Sequence, residues 1–332
     1  MEKESTKTEI DLLFGGDTML GRGVNQVIRR QGAAYPLDRL TSITRSGDLF
    51  FVNLECAISA KDMVYSGPPK AFYFRADPLA VETLKHAGVD VVSLANNHAL
   101  DADYTGLDET LCTLNENGVA HSGAGMNLET ASQPAVLEVR DQRIGLVAYC
   151  DHQADFAAGE HQPGIHYVNV FKSETLKLLA EEIALLATGV DHVIVSFHWQ
   201  SNWARHIGRN YRCLAHALVE AGATIVWGHS PHHFQGVEWI DGSVVLYSTG
   251  DLVDDYAVDP KFRNDRQLLF NVLVNEQGVE QVKAHPIELE YARTRKAGTV
   301  ARAWIGERFG EMCGEVGSRV KEQDGWLNVL PN

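Results

Sequence analysis

The chain has 332 residues, 45% of them apolar, which is enough to bury a sizeable core in one large α/β domain or two ordinary ones. Lys and Arg number 29 against 44 Asp and Glu, a formal net charge of −15. Such a surface repels phosphate backbones and anionic lipid, which argues against nucleic acid and membrane docking. Arg205, Arg209 and Arg212 still offer local positive charge to an acidic ligand.

The start, MEKESTKTEIDLLFGGD, has no apolar h-region and runs straight into a strand, so neither a signal peptide nor a membrane anchor is expected. IDLLFGGD reads as a buried strand ending in glycines, and GRGVNQVIRR as the helix after it. DLFFVNLE is a second apolar strand. DPLAVETLKHAG reads as a helix with Asp77 as N-cap, Pro78 at its first position and Gly88 closing it. VDVVSLANN is a third strand, YTGLDETLCTLNENG a helix, and RIGLVAY a strand. Residues 150–167 lack a period and read as a long loop beside the strand ends, with His152, His161 and His166. SETLKLLAEEIALLATG is an amphipathic helix expected to be capped by Ser173. DHVIVSFHW and GATIVWGHS are again apolar strands with a helix between them. FQGVEWI and SVVLYST flank Asp241-Gly242, a hairpin signal. RQLLFNVLVNEQG and VEQVKAHPIELE suggest a second antiparallel pair, and VARAWIGERFGEMCG a C-terminal helix. Strand–helix alternation followed by hairpins predicts an α/β fold, and the absence of a Pro/Ser linker favours one domain over 1–332. Cys56, Cys112, Cys150, Cys213 and Cys313 are scattered and odd in number, without a CxxC. That is the usage of reduced thiols in a cytoplasmic setting.

Five apolar strands end in groups that carry chemistry. They release Asp17, then Asn53 and Glu55, then Asn97 and His98, then His198, then His229 and His232. Ligands bind at the carboxyl ends of strands in α/β sheets, where loops leave the scaffold together. A divalent metal, one ion or two, is the economical way to satisfy such a cluster. Carboxylate, amide and imidazole donors suit Mn, Zn or Fe, with Ca also considered. Taken singly the residues have plainer uses. Asp17 can cap a helix, His98 can be a hydrogen-bonded structural histidine, and His121 and His233 look like bystanders. Trp199 and Trp203, four apart, either line a pocket or pack in the core. With Arg22 and Asn53 they are the candidate substrate contacts.

The motifs GGDTMLGR, NLE, LANNHALD, HSGAG, HWQSNW, GHSPHHFQGVEW and LYSTGDLVDD, in this order over residues 10 to 275, resemble the CapA family. That family is tied to poly-γ-glutamate capsule synthesis and has a fold related to calcineurin-like metallophosphatases. The resemblance implies a four-layer sandwich of two mixed β-sheets flanked by helices, with the metal site at the strand ends. It places Asp17, Glu55, Asn97, His198, His229 and His232 at metal positions. It places His98 where the phosphatases protonate a leaving group. From its position three residues on, Asp101 is expected to orient His98, and His198 is the next proton-transfer candidate. Two departures bear on activity: Met19 stands where the phosphatases have a histidine, and Glu55 where they have an aspartate. The expected function is a metal-dependent enzyme on a peptide or γ-glutamyl substrate, hydrolytic. The alternatives are a metal-assisted epimerase at a peptide α-carbon and a non-catalytic accessory that binds an anionic polymer.

Overall fold

The apolar runs become strands because they alternate inward and outward across two facing sheets. The computed structural model describes residues 9–332. The expectation of no leader falls partly on residues 1–8, outside the described residues. The first half contains β1 (Ile10–Thr18), α1 (Arg22–Gln31), β2 (Leu49–Leu54), α2 (Ala80–Ala87), β3 (Val91–Ser93), α3 (Asp103–Glu116) and β4 (Ala120–Ser122). There follow β5 (Ala135–Val139), β6 (Gln142–Cys150), α4 (Ser173–Ala187), β7 (His192–His198), α5 (Arg209–Glu220) and β8 (Ile225–His229). The last part holds β9 (Val237–Ile240), β10 (Ser243–Leu246), β11 (Asp251–Val253), β12 (Arg266–Asn275) and β13 (Gly278–Glu290). It closes with β14 (Arg293–Lys296), α6 (Thr299–Glu315), β15 (Ser318–Gln323) and β16 (Trp326–Pro331).

One sheet has ten strands in the order β15-β16-β13-β12-β1-β2-β3-β4, with β11 also pairing β1 and β14 pairing β13. The other has six, ordered β9-β10-β8-β7-β6-β5. Both are mixed: β1–β2, β2–β3, β6–β7 and β7–β8 are parallel, and β12–β13 and β9–β10 are antiparallel. Ile10, Leu12 and Phe14 of β1 join Ile194 of β7 and Trp227 of β8 in one core between the sheets. Phe14 stacks on Phe51 at 5.0 Å and meets Trp227 at 5.5 Å. The alternate residues Leu13, Phe50, Val52 and Val92 face a second core under α1, α2 and α3. Val147, Val193, Val195 and Val226 face a third under α4 and α5. Helices, sheet, sheet, helices is the expected four-layer arrangement.

The hairpin at Asp241-Gly242 forms as expected, with φ of 47° and 84°, the left-handed pair that a two-residue turn needs. Asp324-Gly325 makes the same turn, with φ of 53° and 80°, between β15 and β16, a pair not anticipated from the sequence. Two expected caps are corrected. Asp77 does not cap α2, because its carboxylate is held by the Arg29 guanidinium and the Asn25 amide, and charge-assisted bonds outcompete a backbone N–H. Ser173 is the first residue of α4, with Lys172 at the cap position and no side-chain capping bond. Asp17 does not cap α1 either; Gly21 stands there. The 150–167 segment is pinned down. Phe156 is fully buried, and Gly164 and Ile165 pair with Gly125 and Ala124. Among the described residues, no helix is long and apolar enough to cross a membrane.

Candidate functional site

Register builds the centre of the site. Asp17 of β1 lies opposite Asn53 on one side and Asp251 on the other, because β1 pairs in parallel with both β2 and β11. The β1–β2 register slips between Phe14 and Asp17, a bulge containing Gly15 and Gly16. A Cβ on Gly16 would stand 1.9 Å from the Gly250 carbonyl oxygen, so glycine is required for this close approach. The bulge turns Asp17 onto the strand ends. There Asn53 Nδ2 donates to its Oδ1 at 2.7 Å, and the Ser230 N–H donates to its Oδ2 at 3.3 Å. Ser230 holds φ of 101°, a strained value for a residue with a side chain, and this orients its N–H.

The second sheet contributes imidazoles by the same logic. His198 and His229 are register partners at the ends of β7 and β8, with their Nδ1 atoms 2.8 Å apart. Ser196 Oγ fixes the far nitrogen of His229 at 2.8 Å. His232 Nδ1 lies 3.0 Å from Asp251 Oδ1 and 3.9 Å from Asp17 Oδ2. Two groups result. Asp17, His198 and His229 bring ligand atoms within 4.8 Å of one another, and so do Asp17, Glu55 and His232. Asp17 belongs to both.

The electrostatics show what the cluster lacks. Burial, reinforced by the Asp251 charge, pushes Asp17 up to about 7, and burial pushes Asp251 up to about 8. Glu55 and Asp254 are raised well above the carboxylate range for the same reason, with Asp17 and Asp251 respectively adding repulsion. Burial drives His229 down to about 3, holds His198 well below its ordinary value and lowers His232. Glu55 Oε2, Asn97 Oδ1, Asp251 Oδ2 and Asp254 Oδ2 are buried without a hydrogen-bond partner. Buried acceptors without donors are what a bound cation would satisfy, and the nitrogen and oxygen donors fit a divalent metal.

Chelator-treated protein is expected to lose thermal stability between about pH 6.5 and about pH 8.5. The unfolded carboxylates are already ionised in this window, whereas folded Asp17 and Asp251 release their protons near 7 and 8. The folded state therefore binds more protons, and stability falls as pH rises through those values. His152, pushed down by burial but raised on balance by the Asp151 carboxylate, adds a loss of the same sign. The lowered histidines weaken the fold only on acidification below 6.5. Excess Mn²⁺ is expected to remove the decline, since ligands bind metal deprotonated. Melting curves across this range, with and without chelator, test it, and a flat or rising chelated series would refute it.

Beside the cluster stands a second assembly. His98 Nδ1 is 2.5 Å from Asp101 Oδ2, and the His98 ring stacks on Phe74 at 3.8 Å. Asp101 is fully buried and also accepts from Lys70 Nζ at 2.5 Å and from the Phe74 N–H at 2.6 Å. Lys70 also donates to the Asn97 carbonyl. Burial lowers His98 to about 4 against the pull of Asp101, so it is neutral at pH 7. Its Nδ1–H then donates to Asp101, and Nε2 has no protein partner among the described residues. Asn96 sets the turn: its amide donates to Asn53 Oδ1 and the Leu54 carbonyl, and its Oδ1 accepts from the His98 N–H.

The structure thus joins Asp17, Glu55, His198, His229 and His232, and sets Asn97, His98 and Asp101 beside them. Two candidate substrate contacts are corrected. Trp199 is fully buried on Phe197 and Tyr247, its indole N–H donating to the Tyr247 carbonyl at 2.8 Å, so it is core. Asn53 is fully buried beneath Asp17, which its amide orients. Trp203 is 40% exposed and reaches His232 at 5.5 Å. Arg22 lies at the rim against Asp255, with Phe72, Phe74 and Tyr256 under its guanidinium. Of the loop histidines, His152 meets Ser230 Oγ at 3.2 Å, His166 is buried and His161 is exposed. Sequence reasoning missed Asp251, Asp254 and Lys70. Asp251 had a signal, since a carboxylate after VVLYSTG echoes the one after LLFGG.

The family model described as bacterial capsule synthesis protein PGA_cap matches residues 11–256. A probable polyglutamine synthesis accessory protein of Mycobacterium tuberculosis is 27% identical, over 97% of this chain and 96% of its own. The PGA biosynthesis protein CapA of Bacillus subtilis is 27% identical, over 84% of this chain and 71% of its own. A hypothetical protein from Thermus thermophilus aligns in structure over 84% of this chain and 99% of its own, at 17% identity and a TM-score of 0.49.

Proposed function

Because this chain belongs to the PGA_cap family of bacterial capsule synthesis proteins, we propose that it is a divalent-metal-dependent hydrolase of a peptide or poly-γ-glutamate-like substrate. The observation that carries this reading is Asp17, buried and shared by two ligand groups, among carboxylate oxygens with no other partner. Imidazoles in both groups favour Mn, Zn or Fe over Ca, which prefers oxygen ligands throughout. Asp17, Glu55, Asn97, His198, His229 and His232 would hold the metal, with Asp251 added. Bound there, the metal supplies Lewis acidity toward a carbonyl.

The chain's own groups handle the proton. His98 keeps its Nδ1–H on Asp101 and offers Nε2 to take up and return a proton. Asp101 fixes the tautomer, and Lys70 with the Phe74 N–H holds the Asp101 carboxylate in place. Trp203 and Arg22 border the entrance and orient the substrate. Met19, where the phosphatases have a histidine, is buried and apolar, which speaks against plain phosphomonoester hydrolysis. The five cysteines are free, which fits a reducing compartment, and we place the reaction in the cytoplasm.

The test is turnover of γ-linked oligoglutamate with Mn²⁺ in D₂O, read by mass spectrometry. Chelator-sensitive cleavage is the expected result. Deuterium entering Cα without cleavage would replace hydrolysis by epimerisation. Neither signal with any divalent ion would leave only a binding role.

A further inference from the structure

We propose that a cavity beside the ligand cluster is a carboxylate-binding subsite for an acidic peptide chain, an inference that rests on the peptide substrate proposed above. The cavity, of about 160 Å³, lies between Arg205, His233 and Phe234, the loop at Lys261 and Phe262, and the face of α6 carrying Trp304 and Arg308. Three cations, Arg205, Lys261 and Arg308, converge on it in a chain whose net charge is −15.

Their local counter-charges are sparse or committed. Among the described residues, Arg205 and Lys261 have no carboxylate within 4.0 Å, and Arg308 pairs only with exposed Glu311 at 3.0 Å. Asp259, in the same loop, accepts the Lys261 and Phe262 N–H groups at 2.8 and 2.9 Å and adds only a weaker, solvent-screened attraction to Lys261 and Arg205. Asp265 is taken by Arg263 at 2.6 Å. Behind the wall, the Arg266 guanidinium lies 4.9 Å over the Trp304 ring, and its Nε is buried without a partner. Like charges gathered at a concave, partly apolar surface repel one another unless an anion joins them.

Shape and place point to a carboxylate on a chain. Arg205 stacks on Phe262 at 5.3 Å, which holds the guanidinium plane and leaves its N–H edge for a planar, two-oxygen acceptor. Phe262 and Trp304 give methylene groups an apolar wall. Trp203 touches Phe262 at 5.0 Å and His232 at 5.5 Å, so the cavity lies one side chain away from the ligand cluster. An acidic chain can therefore place one residue at the cluster and a neighbouring carboxylate among the three cations.

Titration calorimetry with γ-linked tetraglutamate tests the subsite in wild type and in Arg205→Gln and Arg308→Gln, both at exposed or half-buried positions. Each variant is expected to raise Kd at least tenfold. The uncharged tetraglutamine is expected to bind at least tenfold more weakly than tetraglutamate. The Mn²⁺-dependent rise in melting temperature, unchanged in both variants, reports that fold and cluster are intact. Equal affinity in wild type and variants, no binding of tetraglutamate to wild type, or full displacement by millimolar inorganic phosphate would each overturn the subsite. Arginine-dependent binding without turnover would keep the subsite and overturn the hydrolase. Turnover that ignores both arginines would do the reverse.

Discussion

Asp17→Asn is expected to abolish cation binding at both ligand groups and to reduce turnover to background. The substitution keeps side-chain volume and an acceptor for the Ser230 N–H, but removes the one carboxylate common to both groups. Wild type in hundredfold excess of Mn²⁺ over Kd should gain about 2.7 kcal/mol of stability, and the variant none. Without metal the variant should be at least as stable as wild type, because the substitution removes repulsion with Asp251 and Glu55. This combination distinguishes lost ligation from simple misfolding. Melting curves and metal titration read together are the test, and a retained Mn²⁺-dependent shift would put the cluster elsewhere.

The second large effect concerns the proton. His98→Gln is expected to lower turnover by roughly 10² to 10⁴ while leaving the Mn²⁺-dependent stabilisation in place. Glutamine retains bulk against Phe74, where alanine would leave a hole in a buried stack. Asp101→Asn should lower turnover as well, by releasing the tautomer and freeing Lys70 from its partner. Asn97→Ala, by contrast, should weaken cation binding and turnover together, because its Oδ1 is among the partnerless oxygens. Near-normal turnover of His98→Gln with metal bound would make His98 structural and pass the proton to His198 or His152.

Much of the site was legible because strand ends are local features. An apolar run of five to nine residues announces a buried strand, and a polar residue straight after it must leave at the rim. Asp17, Glu55, His198 and His229 were therefore placed by position in the chain alone. The hairpin at Asp241-Gly242 was equally local, since two adjacent left-handed residues demand that chemistry.

Pairing between distant segments decided the rest. Asp251 enters because β11 lies parallel to β1 and sets it opposite Asp17, a register no local pattern encodes. Lys70 comes from an irregular stretch without periodicity and is defined only by the buried Asp101 it reaches. Trp199 and Trp203 share a spacing of four but not an environment. The strand ends at His198, Trp199 turns into the outer core, and Gln200, at φ of 67°, redirects the chain so that Trp203 reaches the rim. Arg205, Arg209 and Arg212 were one basic group in the sequence. In the fold, Arg212 is held by Glu238 at 2.6 Å, while Arg205 is left facing a cavity beside the cluster. Sequence determines which groups leave the strands, because that depends on a few neighbouring residues. Tertiary structure determines which of them meet, because β-register and burial are set by segments up to hundreds of residues apart.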